Sequence, residues 1–123
     1  MKMKYETDLY QRIHAELQKV AMVDCHEHLL PETEYPSGNE VSIGRLFTHY
    51  ANCDLRSAGL PAADMTDKLQ NPKSGLSPKE RWKVIQPYYE KSWNTAYNEG
   101  LRIAIRDLYG VEDVSADTVD ALT

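Results

Sequence analysis

The chain is poor in several residue types that mark whole classes of protein. It has two cysteines, Cys25 and Cys53, and one phenylalanine among 123 residues. Two thiols are too few for a disulfide framework, and their spacing suits neither a zinc knuckle nor a redox pair. They fit free thiols in a reducing compartment, so the expected location is cytoplasmic. No run of about 18 apolar residues is present, which leaves nothing to span a membrane. The opening segment, MKMKYETDLYQRIHAELQKV, starts basic but has no apolar stretch of the kind a secretory signal needs. Basic charge is short too: 14 Lys and Arg stand against 19 Asp and Glu, a net charge of −5. That balance gives no footing for nucleic acid or an anionic membrane as partner. Leu, Ile, Val and Phe supply about a fifth of the residues, a thin stock for a core, although eight Tyr and two Trp add bulk.

What is present is helical pattern. Leu9, Ile13 and Leu17 lie four apart, with Val20 next on that face, and predict a helix over 6–19. Thr7 or Glu6 stands near its start without a decisive capping pattern. Residues 21–25, AMVDC, read as a short strand, and LLPETEYPSGNE as a loop. Ile43, Leu46, Phe47, Tyr50 and Ala51 predict a helix from Ser42 to about Ser57, stopped by Gly59 and Pro61. A short helix is expected over 62–69. Ser77-Pro78-x-Glu80 is a strong helix start, with proline where its missing N–H costs nothing. The helix it opens is expected to run toward Asn98, strained or interrupted at Pro87. Residues 101–109 read as an amphipathic helix ended by Gly110, and Ser115 or Asp117 opens one more. The expected pattern is one strand followed by a helical remainder.

The sharpest chemical signal is Asp24-Cys25-His26-Glu27-His28. On an extended backbone, residues two apart share a side. His26 and His28 would then offer two imidazoles to one divalent metal, with Asp24 on the same face to complete or orient the shell. Glu27 and Cys25 would face away, Glu27 as a solvated carboxylate and Cys25 as a thiol buried behind the strand. His49, within a helical segment, could reach the metal in a folded parent but reads more readily as an ordinary partly exposed histidine, and His14, beside the apolar face of the first helix, as structural. Arg45 and Arg56 are candidates for gripping a carboxylate-bearing substrate, against an ion pair or a helix-end charge as the plainer reading. Trp82, Tyr88, Tyr89, Trp93 and Tyr97 read as packing, and Arg102 and Arg106 as a solvated helix face.

The segment MVDCHEHLLPE, with His26 and His28 as an HxH pair, resembles the amidohydrolase superfamily of metal-dependent (β/α)₈ barrel enzymes. IGRLFTHYANCDLRSAGL and WNTAYNEGLRIAIRDLYG are similar to the helical insertion after the first strand in its amidohydrolase-2 and uronate isomerase-like branches. The resemblance implies a TIM barrel in which residues 1–30 form the first helix and strand and 41–110 the helical insertion. It also implies a catalytic divalent metal, usually zinc, on His26 and His28, with Asp24 beside them. The parent enzyme would be a hydrolase working through metal-activated water on a small molecule, or else a sugar-acid isomerase. A whole barrel needs roughly 250 residues, and no histidine follows His49. The expectation is therefore an N-terminal fragment, inactive alone, mostly α, and prone to associate as a homo-oligomer through exposed apolar surface. The competing expectation is a small non-enzymatic helical domain that self-associates.

Overall fold

The structure, a computed structural model, describes residues 7–26, 28, 31–34 and 43–122. The chain divides into two compact units, Met1–Tyr35 and Pro36–Thr123. The calls that rest on Glu27, on Leu29, Leu30 and residues 35–42, and hence on the start of a helix at Ser42, lie outside the described residues.

In the first unit, α1 spans Asp8–Leu17. Thr7 takes an extended backbone and its hydroxyl accepts the Tyr10 N–H, which makes it the cap. None of α1 is buried: Leu9, Ile13, Leu17 and Val20 are 62%, 53%, 62% and 65% exposed. Residues 21–26 belong to no helix or strand, and Met22 and Val23 are almost fully exposed. The strand expected over 21–25 is not there. Five residues bounded by polar chemistry carry too little pairing surface to hold a strand without a neighbour. A 3₁₀ turn at Glu32–Glu34 follows.

The second unit is built from short helices around α4. Its elements are α2 (Ile43–Leu46), α3 (His49–Ser57), a π-helical segment (Asp64–Leu69), α4 (Pro78–Ser92), α5 (Ala96–Tyr109) and a closing 3₁₀ turn (Val119–Leu122). α4 packs against α2, α3, the π-helical segment and the closing turn. Trp82, Ile85 and Tyr89 point inward from it, at the spacing that puts side chains on one helix face. They meet Phe47, Leu55, Leu69, Ile105 and Val119 in one buried cluster. The aromatic rings in it meet edge to face, Trp82 on Tyr89 at 5.5 Å and Phe47 on Tyr89 at 5.7 Å between centroids.

Local sequence explains the ends of these helices. The Ser77 hydroxyl and the Glu80 carboxylate exchange hydrogen bonds with each other's backbone N–H in a full capping box, with Pro78 at the first position. Gly110 ends α5 at φ 67°, the left-handed conformation glycine adopts without penalty.

Several helix expectations need correction: the helix over 101–109 already starts at Ala96, and in place of one opened by Ser115 or Asp117 there is only the 3₁₀ turn Val119–Leu122. The helix over 42–57 is two helices, because the chain opens at Thr48 (φ −104°, ψ 171°) and re-enters at His49 with φ 49°. The helix from Lys79 toward Asn98 stops at Ser92, and Thr95 caps a new one by accepting the Asn98 N–H. Pro87 does not break α4: both it and Lys83, whose carbonyl loses its helical donor, are exposed, so water can take that acceptor.

Among the described residues every regular element is helical, and there is no strand or sheet. This overturns the fold expected from the resemblance. A first barrel strand carrying the HxH pair at its C-terminal end is absent, and with it the amidohydrolase superfamily assignment, the TIM barrel fragment and the hydrolase or isomerase parent. The small helical domain is the better description. Among the described residues, no helix is long and apolar enough to cross a membrane.

Candidate functional site

His26 and His28 come together without a strand to align them. Their Nε2 atoms stand 2.8 Å apart, with ring centroids 4.7 Å apart and planes at 62°. Asp24 takes part through the backbone: its Oδ1 accepts the His26 N–H at 3.1 Å, closing a local turn that brings the two rings to one side. The pair is exposed, as is Asp24.

The distance bears on what the rings can do. Two nitrogens bound to one zinc at 2.0–2.1 Å in tetrahedral geometry stand roughly 3.4 Å apart. At 2.8 Å one ring instead donates to the other's lone pair. Moving the donor's proton to its Nδ1, with a small rotation of the rings, would turn both Nε2 lone pairs toward a cation. A third ligand is what the site does not provide: among the described residues, no group of three or more His, Cys, Asp or Glu is placed to hold a metal ion. A catalytic metal centre of the hydrolase kind is not assembled.

The other sequence candidates are dispersed. Cys25 is exposed, so the expectation of a thiol buried behind a strand fails along with the strand. His14 lies on the surface of α1, stacked on Tyr10 with ring centroids 5.9 Å apart and with Gln18 Nε2 at 3.3 Å from its Nε2. His49 opens α3 in the second unit. Arg45 and Arg56 are exposed in the last turns of α2 and α3, where a cation complements the carbonyl end of a helix. Of the five aromatics, Trp82 and Tyr89 are core, Tyr88 is half-buried, and Trp93 and Tyr97 are exposed. Tyr97 stacks on Tyr50 at 4.8 Å.

Two arginines are buried, Arg81 and Arg102, the second of which reads from the sequence as part of a solvated helix face. Arg81, 4% exposed, reaches back from α4 and donates to four main-chain carbonyls: Lys68 at 2.8 Å, Leu69 at 2.6 Å, Asn71 at 2.7 Å and Leu76 at 3.2 Å. Burial depresses its pKa, which leaves a guanidinium still cationic near neutrality. The same Leu69 carbonyl lies against α2 so closely that a Cβ on Gly44 would sit 2.3 Å from it. Arg102 lies over the Trp93 ring at 3.9 Å and donates to the Trp93 carbonyl at 2.6 Å. Asp113 completes that group. It accepts the Tyr89 hydroxyl at 2.6 Å and the Trp93 Nε1–H at 2.8 Å. Burial, then the bond to Asp113, raises the Tyr89 pKa far above the phenol range, so Tyr89 stays a neutral donor. Both groups fasten elements together, and neither opens a reacting centre to solvent.

No protein family matches this chain, and no curated protein or solved structure does either.

Proposed function

We propose that this chain is a small helical association module, non-enzymatic in itself, whose partner is a second copy. The observation that carries the reading is the uncovered apolar face of α1, where Leu9, Ile13 and Leu17 are each more than half exposed. Met22 and Val23 extend the exposed apolar surface beyond the helix. A capped amphipathic helix whose apolar side chains are exposed gains by burying them, at about 25 cal/mol per Å² removed from water. Each copy covers only a handful of apolar side chains this way, so the association is weak and concentration-dependent. Sedimentation velocity on the full chain over a wide concentration range tests it. A growing dimer fraction is expected, and a single monomeric species throughout would end the reading.

The imidazole pair supports a second, independent reading: a divalent cation held by His26 and His28, with remaining ligands from outside the described residues, a second copy or water. Its motive is the approach of two Nε2 atoms on an otherwise solvated segment. Titration calorimetry with zinc as the probe should show binding that disappears when both histidines become alanine. Unchanged zinc binding in that double variant would sink it.

A further inference from the structure

The charges beside the α1 stripe specify how two copies meet, an inference that rests on the association proposed above. Successive helical residues turn by 100°, so the stripe of Leu9, Ile13 and Leu17 has two distinct flanks. One flank carries every charge: Asp8, Arg12, Glu16 and Lys19, alternating in sign along the axis. Two ion pairs tie this row together, Arg12 to Asp8 at 3.5 Å and Lys19 to Glu16 at 2.7 Å. The other flank is Tyr10, His14 and Gln18, joined by the Tyr10–His14 stack and the Gln18–His14 contact.

Parallel pairing would set the charged flank of one helix against the Tyr10–His14–Gln18 flank of the next, with no complement. Antiparallel pairing sets like flank against like flank, in reverse order. A row that alternates in sign then finds its opposite. With the two-fold axis at Ile13, Leu9 faces the partner's Leu17 and Ile13 faces the partner's Ile13. Asp8 comes level with the partner's Lys19, one residue off register, and Arg12 lies two residues from the partner's Glu16. Like charges approach at two places, Arg12 to the partner's Arg12 and Asp8 to the partner's Glu16, each two residues off register and so farther along the axis than the Asp8–Lys19 pairs. We infer that α1 pairs antiparallel with α1 of a second copy about Ile13, its apolar stripe supplying the attraction and its alternating charges the direction. Exposed ion pairs add little affinity, but like charges brought together exclude the wrong arrangement.

Two full-length variants make the flank single-signed: Arg12→Glu with Lys19→Glu, and Asp8→Lys with Glu16→Lys. Each alone should dimerise about tenfold or more weakly than the unaltered chain, and an equimolar mixture should recover a mixed dimer. Recovery in the mixture also shows that neither variant has lost its helix. Orientation is read by disulfide trapping in a Cys25→Ser, Cys53→Ser background. Antiparallel pairing links L9C chains to L17C chains and I13C chains to each other, whereas L9C linked to itself marks a parallel pair and overturns the inference. Single-signed variants that dimerise as well as the original, or a mixture that stays monomeric, overturn it too, while the association itself stands. If the unaltered chain is monomeric, the association and its geometry fall together.

Discussion

α1 and α5 have the same design in sequence and opposite fates in the fold. Each is an amphipathic helix with a threonine cap, and each puts an isoleucine at the middle of its apolar stripe. In α5 that residue, Ile105, is fully buried, whereas in α1 Ile13 is half exposed. The difference lies in what surrounds the stripe. α5 is met by α3 and the closing turn and held by Arg102 and Asn98, both buried. α1 has no buried residue at all. Amphipathicity states that a helix has a face to bury, and it does not state against what.

The comparison is broken most directly by trimming both isoleucines. Ile105→Ala should cost about 3 kcal/mol, the usual penalty for a cavity in a packed core. Ile13→Ala should change the free energy of urea unfolding of the second unit by no more than about 0.5 kcal/mol. Equal losses from the two would mean that α1 is part of the same core after all. Next in size is Arg81→Met, which leaves four carbonyls without their donor and should cost about 3 kcal/mol in the same measurement. Arg81→Lys should recover only part of this, because an ammonium cannot reproduce the planar fork.

A smaller loss is expected from Tyr89→Phe, which removes one hydroxyl from the Asp113 group: about 1 kcal/mol by thermal melting. The smallest effect is at Glu80. Its bonds to the Ser77 hydroxyl and backbone N–H hold its pKa below the ordinary 4.5. The stability it contributes is therefore present above pH 4.5 and lost as pH falls through the depressed value. Glu80→Gln removes that dependence, so the difference in urea midpoint between it and the original chain should shrink on acidification. A constant difference would contradict this.

How far the sequence reveals this fold depends on whether the determinant is local. The Ser77 box, the Gly110 terminator and the stop at Gly59 (φ 109°) are each written within a few residues, and each stands where the pattern put it. The break at Phe47–Thr48 is harder. The apolar spacing from Ile43 to Ala51 suits one continuous helix, and what parts it is the extended backbone at Thr48 and the positive φ at His49, just after the fully buried Phe47. Thr95 was readable as a cap, since it stands three residues before Asn98, but the aromatic periodicity through Trp93 masked it. The buried arginines were not readable. Arg81 is signalled by carbonyls from residues 68–76, and carbonyls leave no mark in a sequence. The proximity of His26 and His28 could be anticipated from their spacing alone, but the strand meant to present them could not be sustained by AMVDC.

The anchoring of residues 68–76 by Arg81 has a consequence for how this protein can change. Its fork grips oxygen atoms that every amino acid possesses, so the hold on the loop is indifferent to which side chains the loop carries. Exposed positions among them, such as Pro72 and Lys73, can change while the path stays put, whereas Leu69 is held by the core. The freedom of the loop is concentrated into the fixity of one residue outside it.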